Sequence, residues 1–274
     1  MTEFNRIEII LFKKYLRERE CSENTIRSYS SAVTFFLSNY DSITSENLIK
    51  YRRYLTDNLK SSTVNQRINA INKFIKFENK ETQVIPLIKI KRVTYLDNVI
   101  TNEEYELFKR RLLEEKKYKL YSLIRLLAAT GMRISEALDL KAEDIIAGYY
   151  DIRSKGDKER RVFIPSPLVR EVVSRMTQDG IFYGYLFTNQ SGGKLSASGA
   201  RYLIKYNGMR YGLPQEHLHP HAFRHRFALN FMENQKDIST LSDLLGHESI
   251  ETTRVYLKKT ADEQKLLINQ VVNW

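Results

Sequence analysis

Apolar residues recur at steps of three and four through four runs of the first 80 positions, the spacing that stacks side chains along one face of an α-helix. Phe4, Ile7, Leu11 and Tyr15 make one stripe, and Ile26, Tyr29, Val33, Phe36 and Leu37 make a second behind a Ser22 cap. Leu48, Tyr51 and Leu55 follow a Thr44 cap, and Val64, Ile68, Ile71 and Ile75 follow Ser61-Ser62. Hydroxyl side chains at such entrances accept from the unpaired N–H groups of the first turn. The pattern predicts a four-helix unit over residues 1–80, with its aromatic residues mostly in the core.

The helical period lapses over residues 81–99, around Val84-Ile85-Pro86-Leu87, which reads as an extended linker. Thr101-Asn102-Glu103-Glu104 has the form of a capping box and opens a second domain, residues 100–274. Helices are expected to about Leu140, with Leu123, Ile124, Leu126 and Leu127 deepest and Gly131 as a C-cap. Tyr149 to Arg153 and Arg161 to Ile164 alternate like strands around a turn that carries Lys155 at the tip of a β-hairpin. Helices return from 167, including about 220–235, 237–245 and 250–258. A short tail helix over 261–274 would present Leu266, Leu267, Val271 and Trp274. The fold class is mainly α with a small β-sheet.

Composition narrows what these domains can do. The 274 residues are 42% hydrophobic, enough for two cores, and carry a net charge of +11. The excess is concentrated: Lys60, Arg67, Lys73, Lys76, Lys80, Lys89, Lys91 and Arg92 face only Glu78 and Glu81, a net +6 over residues 60–92. Such a run is expected of a surface that meets phosphates. The single cysteine excludes a disulfide framework. Ile9-Ile10-Leu11-Phe12 is flanked at once by charges, so neither a signal peptide nor a membrane span is expected, and a cytoplasmic location follows.

The chemistry gathers late in the chain. His221-Ala222-Phe223-Arg224 is followed by Leu245-Gly246-His247 and, nine residues on, by Tyr256; upstream lie Arg133 in Ala129-Thr130-Gly131-Met132-Arg133-Ile134-Ser135-Glu136 and Lys155 in Ser154-Lys155-Gly156-Asp157-Lys158. A phosphodiester under attack needs its non-bridging oxygens stabilised and its leaving oxygen protonated. Two permanently charged guanidiniums, Arg133 and Arg224, suit the first need. A tyrosine becomes a nucleophile when neighbouring cations or a base favour the phenolate. His221, His247 and Lys155 can move protons, with Lys158 a competing turn lysine, and Glu136 stands where it would hold Arg133 or cap the helix after it. No cofactor is required.

In these motifs, their order and their spacing over residues 101 to 260, the chain resembles the tyrosine recombinase (phage integrase) family, nearest in layout to compact Xer-like members. The resemblance implies an N-terminal four-helix core-binding domain and a mixed α/β catalytic domain, forming a C-shaped clamp on duplex DNA. It implies that Tyr256 forms a 3′-phosphotyrosyl intermediate, conserving bond energy so that neither ATP nor metal is needed. Exchange would pass through a Holliday junction in a homo-tetramer on two short inverted-repeat sites, with an accessory protein in some systems. The tail would dock on a neighbouring protomer. Met132, Phe223 and Arg226 depart from the commoner residues and look like packing variants.

Other readings use parts of the same set. A type IB topoisomerase employs similar residues to relax DNA, and a non-catalytic DNA-binding protein could retain the fold. A metal site among His217, His219, His221 and His225 is disfavoured, because no acidic residue falls between His217 and His225 and Cys21 is remote.

Overall fold

The computed structural model describes residues 3–40, 42–79, 84–89, 98–153, 159–178, 180–247 and 249–257. Two compact units divide the chain at Arg92 and Val93.

Unit 1 contains helices α1 (Glu3–Glu18), α2 (Glu23–Asn39), α3 (Ser45–Asn58) and α4 (Ser61–Phe77). Ser22 and Thr44 cap α2 and α3, their hydroxyls accepting from Thr25 and Asn47. The α4 entrance differs from expectation: Lys60 is the N-cap residue and no side chain closes the first turn. The core stacks Phe12, Phe36, Tyr51 and Phe74, with Phe12 edge-on to Phe74 and Phe36 edge-on to Tyr51, each pair at 5.1 Å. The expected faces of α3 and α4 are buried, as is most of that of α2. That of α1 is rotated, since Ile9, Phe12 and Leu16 face inward whereas Ile7 and Leu11 are at least half exposed.

Part of the expected linker belongs to this unit. Residues 84–89 run without regular structure along α4. Asn72 pairs both amide atoms with the backbone of Ile85 at 2.8 Å, and Asn65, two turns earlier, does the same with Ile88 at 2.9 Å. Ile85 is buried in the unit 1 core.

Unit 2 contains α5 (Asn102–Glu114), α6 (Tyr118–Thr130), α7 (Ile134–Asp139) and α8 (Ala142–Ala147), then strands β1 (Tyr149–Arg153) and β2 (Glu159–Phe163). It continues with α9 (Ser166–Gln178), α10 (Ala197–Arg210), α11 (Pro220–Gln235), α12 (Ile238–Leu245) and α13 (Ile250–Thr253). Thr101 and Glu104 form the capping box of α5. Leu123, Ile124, Leu126 and Leu127 of α6 lie in the core against α5, α7 and α11. The strands are antiparallel, with Tyr149 opposite Phe163 and Arg153 opposite Glu159. Strand alternation turns Arg160 and Val162 inward, while Arg161 points out to pair with Asp151.

Of the glycines that end helices in the left-handed conformation, two border the site, Gly131 after α6 (φ 64°) and Gly246 after α12 (φ 62°). Neither tolerates a side chain: an added Cβ would meet Phe227 at 2.5 Å from Gly131, and Arg160 at 2.6 Å from Gly246. The helix expected over 250–258 breaks early, and residues 254–257 form a 3₁₀ turn that carries Tyr256. The tail 261–274 and the hairpin tip with Lys155 and Lys158 lie outside the described residues. Among the described residues no helix is long and apolar enough to cross a membrane.

Candidate active site

The centre of the site is made of backbone. The last carbonyls of a helix have no intrahelical partner and carry the negative end of its dipole. At the ends of α6 and α12, arginines take up these carbonyls. Arg224, on α11 and almost fully buried, donates to Gly131 O at 2.6 Å and to Leu245 O at 2.7 Å. Arg133, the N-cap residue of α7, donates to Gly246 O at 3.1 Å. Arg160, from β2, donates to Leu244 O at 3.1 Å.

Glu136 gathers two of these cations. Its carboxylate, nearly buried, accepts from Arg133 Nη1 at 2.9 Å, from the Arg133 backbone N–H at 2.7 Å and from Arg160 Nη2 at 2.8 Å. It therefore both caps α7 and fixes the guanidinium. The crowding is felt in Arg224, whose pKa burial and the nearby Arg133 charge pull down to about 10.

Tyr256 packs with Ala228, Met232, Leu241 and Leu245 in a small satellite core and is 7% exposed. Burial pushes its phenol up to about 12, against the opposing pull of Arg224. Its hydroxyl shares a 2.6 Å hydrogen bond with Nδ1 of His225. His225 is held down to about 4 by burial and then by the charges of its neighbours, so its ring is neutral. His247 is likewise held to about 4, by burial and then by Arg224 and Arg133, and its Nδ1 lies 2.8 Å from Thr253 Oγ1. His221 is on the exposed side of α11, its ring 6.1 Å from that of His225, and its pKa is lowered by partial desolvation and by Arg224.

Arg133, Glu136, Arg224, His247 and Tyr256 thus come together, with His221 at the margin. His225 and Arg160 are the members that the sequence reading did not place among the site residues. His225 had a signal in its position one helical turn after His221. Arg160 had only its place two residues before Val162 on the buried side of a strand. The remaining histidines are structural: His217 bonds to Glu104 at 2.8 Å, and His219 caps α11 by accepting from Ala222 N–H. No metal-ligand cluster occurs among the described residues. Met132 and Phe223 are buried, and Arg226 bonds to Asn230 at 2.5 Å.

The basic run of residues 60–92 does not occupy one side of α4. Arg67 and Lys76 are nine residues apart, about half a revolution at 3.6 residues per turn, and Arg67 lies over the Phe35 ring at 5.4 Å. Lys60, Lys76 and Lys89 are exposed and Lys73 is half-buried. Lys80, Lys91 and Arg92 lie outside the described residues.

Residues 98–263 match the phage integrase family, and residues 9–82 match its N-terminal SAM-like domain. The chain belongs to this family of tyrosine recombinases. It is 31% identical to tyrosine recombinase XerA of Pyrococcus furiosus over 266 residues, covering 93% of this chain and 90% of that protein. It is 28% identical to tyrosine recombinase XerD of Rickettsia bellii, covering 88% and 90%. Its fold is similar to that of XerH recombinase bound to difH substrate, with a TM-score of 0.69 at 23% identity, covering 95% of this chain and 83% of that one. It is also similar to a lambda integrase tetramer bound to a Holliday junction, with a TM-score of 0.72 at 16% identity, covering 93% and 79%.

Proposed function

We propose that this recombinase cleaves and rejoins duplex DNA through Tyr256, with Arg133 and Arg224 on the non-bridging phosphate oxygens. The observation that carries this reading is the docking of both guanidiniums on the carbonyls at Gly131, Leu245 and Gly246, beside a buried tyrosine. Preorganised charges of this kind need no rearrangement when charge builds on the phosphate. Attack by the phenol oxygen forms the bond to phosphorus while the bond to the 5′-oxygen breaks. The phenol proton has an acceptor within reach in neutral His225, and Lys155 gives a proton to the leaving 5′-oxygen, which departs as the 5′-hydroxyl. His221 and His247 supply hydrogen bonds to the phosphate. Attack by a second 5′-hydroxyl reverses the step on a new partner.

The buried phenol at about 12 and the imidazole at about 4 make proton transfer strongly uphill in the free protein. An entering phosphate acts on both groups, its negative charge favouring the imidazolium and opposing the phenolate, so the phenolate relies on the Arg224 charge, which already pulls its pKa down.

In this reading residues 1–80 are the core-binding domain, 81–99 the linker and 100–274 the catalytic domain. Lys60, Arg67, Lys73, Lys76, Lys80, Lys89, Lys91, Arg92 and Lys158 provide phosphate contacts. The partner is a duplex with a short inverted-repeat core, bound by four protomers at two sites, in the cytoplasm. The site is identified by capturing covalent adducts from a pool of randomised duplexes. Nicked duplexes of that sequence, followed by two-site plasmids, then test the function. A covalent adduct and recombinant plasmid are expected. An adduct with relaxation alone would indicate a topoisomerase, and binding without an adduct a non-catalytic protein.

A further inference from the structure

We propose that Arg160 is a positioning residue for cleavage, keeping the cluster around Glu136 net positive and Arg133 correctly aimed by sharing that carboxylate. This rests on the reading of Arg133 as a phosphate ligand.

The two arginines on Glu136 are not equivalent. The Arg133 side chain is 42% exposed and that of Arg160 only 12%. Arg160 directs Nη2 to Glu136 and Nη1 to Leu244 O, so it acts on Arg133 through the carboxylate they share. Arg133 keeps an open side from which a phosphate can be met. Charge sharing gives the buried arginine its purpose. Arg133 and Glu136 alone form a neutral pair, and a phosphate approaching it gains little. With Arg160 the cluster carries a net positive charge, and each carboxylate oxygen has its own guanidinium, Oε1 for Arg133 and Oε2 for Arg160. Arg133 is thus oriented without being neutralised.

Arg160 also joins the parts of the site mechanically. It fixes β2 to the start of α7 through Glu136 and to the end of α12 through Leu244. The space it occupies lies against Gly246, where an added Cβ would come within 2.6 Å of its Nη1. The carbonyl of that same glycine receives Arg133. A strand, a helix start and a helix end are held in register by one side chain.

The test measures single-turnover cleavage by the full-length protein on its selected nicked duplex, with either an ordinary phosphate or a neutral methylphosphonate at the scissile position. Arg160→Gln should slow cleavage of the phosphate by about 10²-fold, the scale expected when a catalytic group is misplaced by about an ångström. DNA affinity should change by only a few-fold. On the methylphosphonate, where less charge must be stabilised, the loss should shrink at least tenfold. Combined with Glu136→Gln, the loss should be smaller than the product of the two single losses. Arg160→Lys, which keeps the charge and can reach one partner, should fall between wild type and Arg160→Gln, and provides the same comparison if the glutamine variant does not fold. Equal losses on both substrates, together with multiplicative single effects, would overturn the proposal and leave Arg160 a packing residue. Absence of any wild-type adduct would instead sink the reading of Tyr256 as the nucleophile.

Discussion

In unit 1, Asn65 and Asn72 hold the extended segment 84–89 to α4 through neutral amide pairs; in unit 2, Arg133, Arg160 and Arg224 hold the ends of α6 and α12 through charged ones. Both are polar side chains that satisfy backbone groups far away in sequence. In the first case no charge is left over once the backbone is satisfied, and the result is a fastened segment. In the second, a guanidinium has five donors and a charge that neutral carbonyls do not cancel. At Arg133 the attachment fixes the guanidinium and leaves its exposed side able to meet an anion. The same device is therefore structural with an amide and chemical with a guanidinium, which is open to test by changing each side in turn.

The largest effect should come from the group that these charges serve. Tyr256→Phe removes one hydroxyl from a site that is otherwise packed, so covalent adduct should vanish while DNA affinity and melting temperature stay close to wild type. An adduct surviving in that variant, detected on denaturing gels, would move the nucleophile elsewhere.

Next is the charged attachment itself. Arg224→Ala should slow cleavage by about 10² to 10³-fold, the usual consequence of losing one preorganised donor. It should also destabilise unit 2, since the carbonyls of Gly131 and Leu245 lose their partner. Arg224→Lys keeps a charge but cannot span both carbonyls, so it should recover stability less than a guanidinium would. A lysine variant with full cleavage rates would mean that charge alone matters and the fork geometry does not.

The neutral attachment should separate stability from chemistry. Asn72→Ala leaves the N–H and C=O of Ile85 without their amide partner in a partly buried place. The expected loss is about 1–3 kcal/mol of stability, read by denaturant titration. The single-turnover cleavage rate at saturating DNA should be unchanged. A slowed rate would show that segment 84–89 does more than fasten the chain.

What the sequence disclosed follows the same division. The faces of α3 and α4 and most of the α2 face were legible because a single apolar stripe permits one phase. The phase of α1 was not, because Ile9-Ile10-Leu11-Phe12 supplies apolar residues all round the helix and only packing selects Ile9, Phe12 and Leu16. Arg133, Arg224, His247 and Tyr256 stood out by chemistry and order. The carbonyls that position the arginines have no side-chain signature, so the centre of the site was invisible except through the two glycines. Arg160 was hidden because strand alternation predicts an apolar residue on its buried side. Tyr256 was read as helical, since the apolar pattern does not distinguish an α-turn from the tighter 3₁₀ turn that carries it.

The smallest effect separates the units by pH. All five histidines lie between residues 217 and 247, so this titration belongs to unit 2 alone. His225 and His247 titrate near 4 in the fold, against about 6.5 in an unfolded chain. Between these values the unfolded state binds more protons, so stability is full above about pH 6.5 and declines as pH falls toward 4. After allowance for the partial exposure of both rings, the decline should be on the order of 1–2 kcal/mol. Calorimetry of the full chain at pH 7, 6 and 5 should show the transition of unit 2 moving to lower temperature ahead of that of unit 1. His225→Gln, which can still accept from the phenol but cannot titrate, should remove about half of that shift. If the variant keeps the whole shift, protonation of His225 does not oppose folding, and the imidazole beside Tyr256 is not held neutral by its burial.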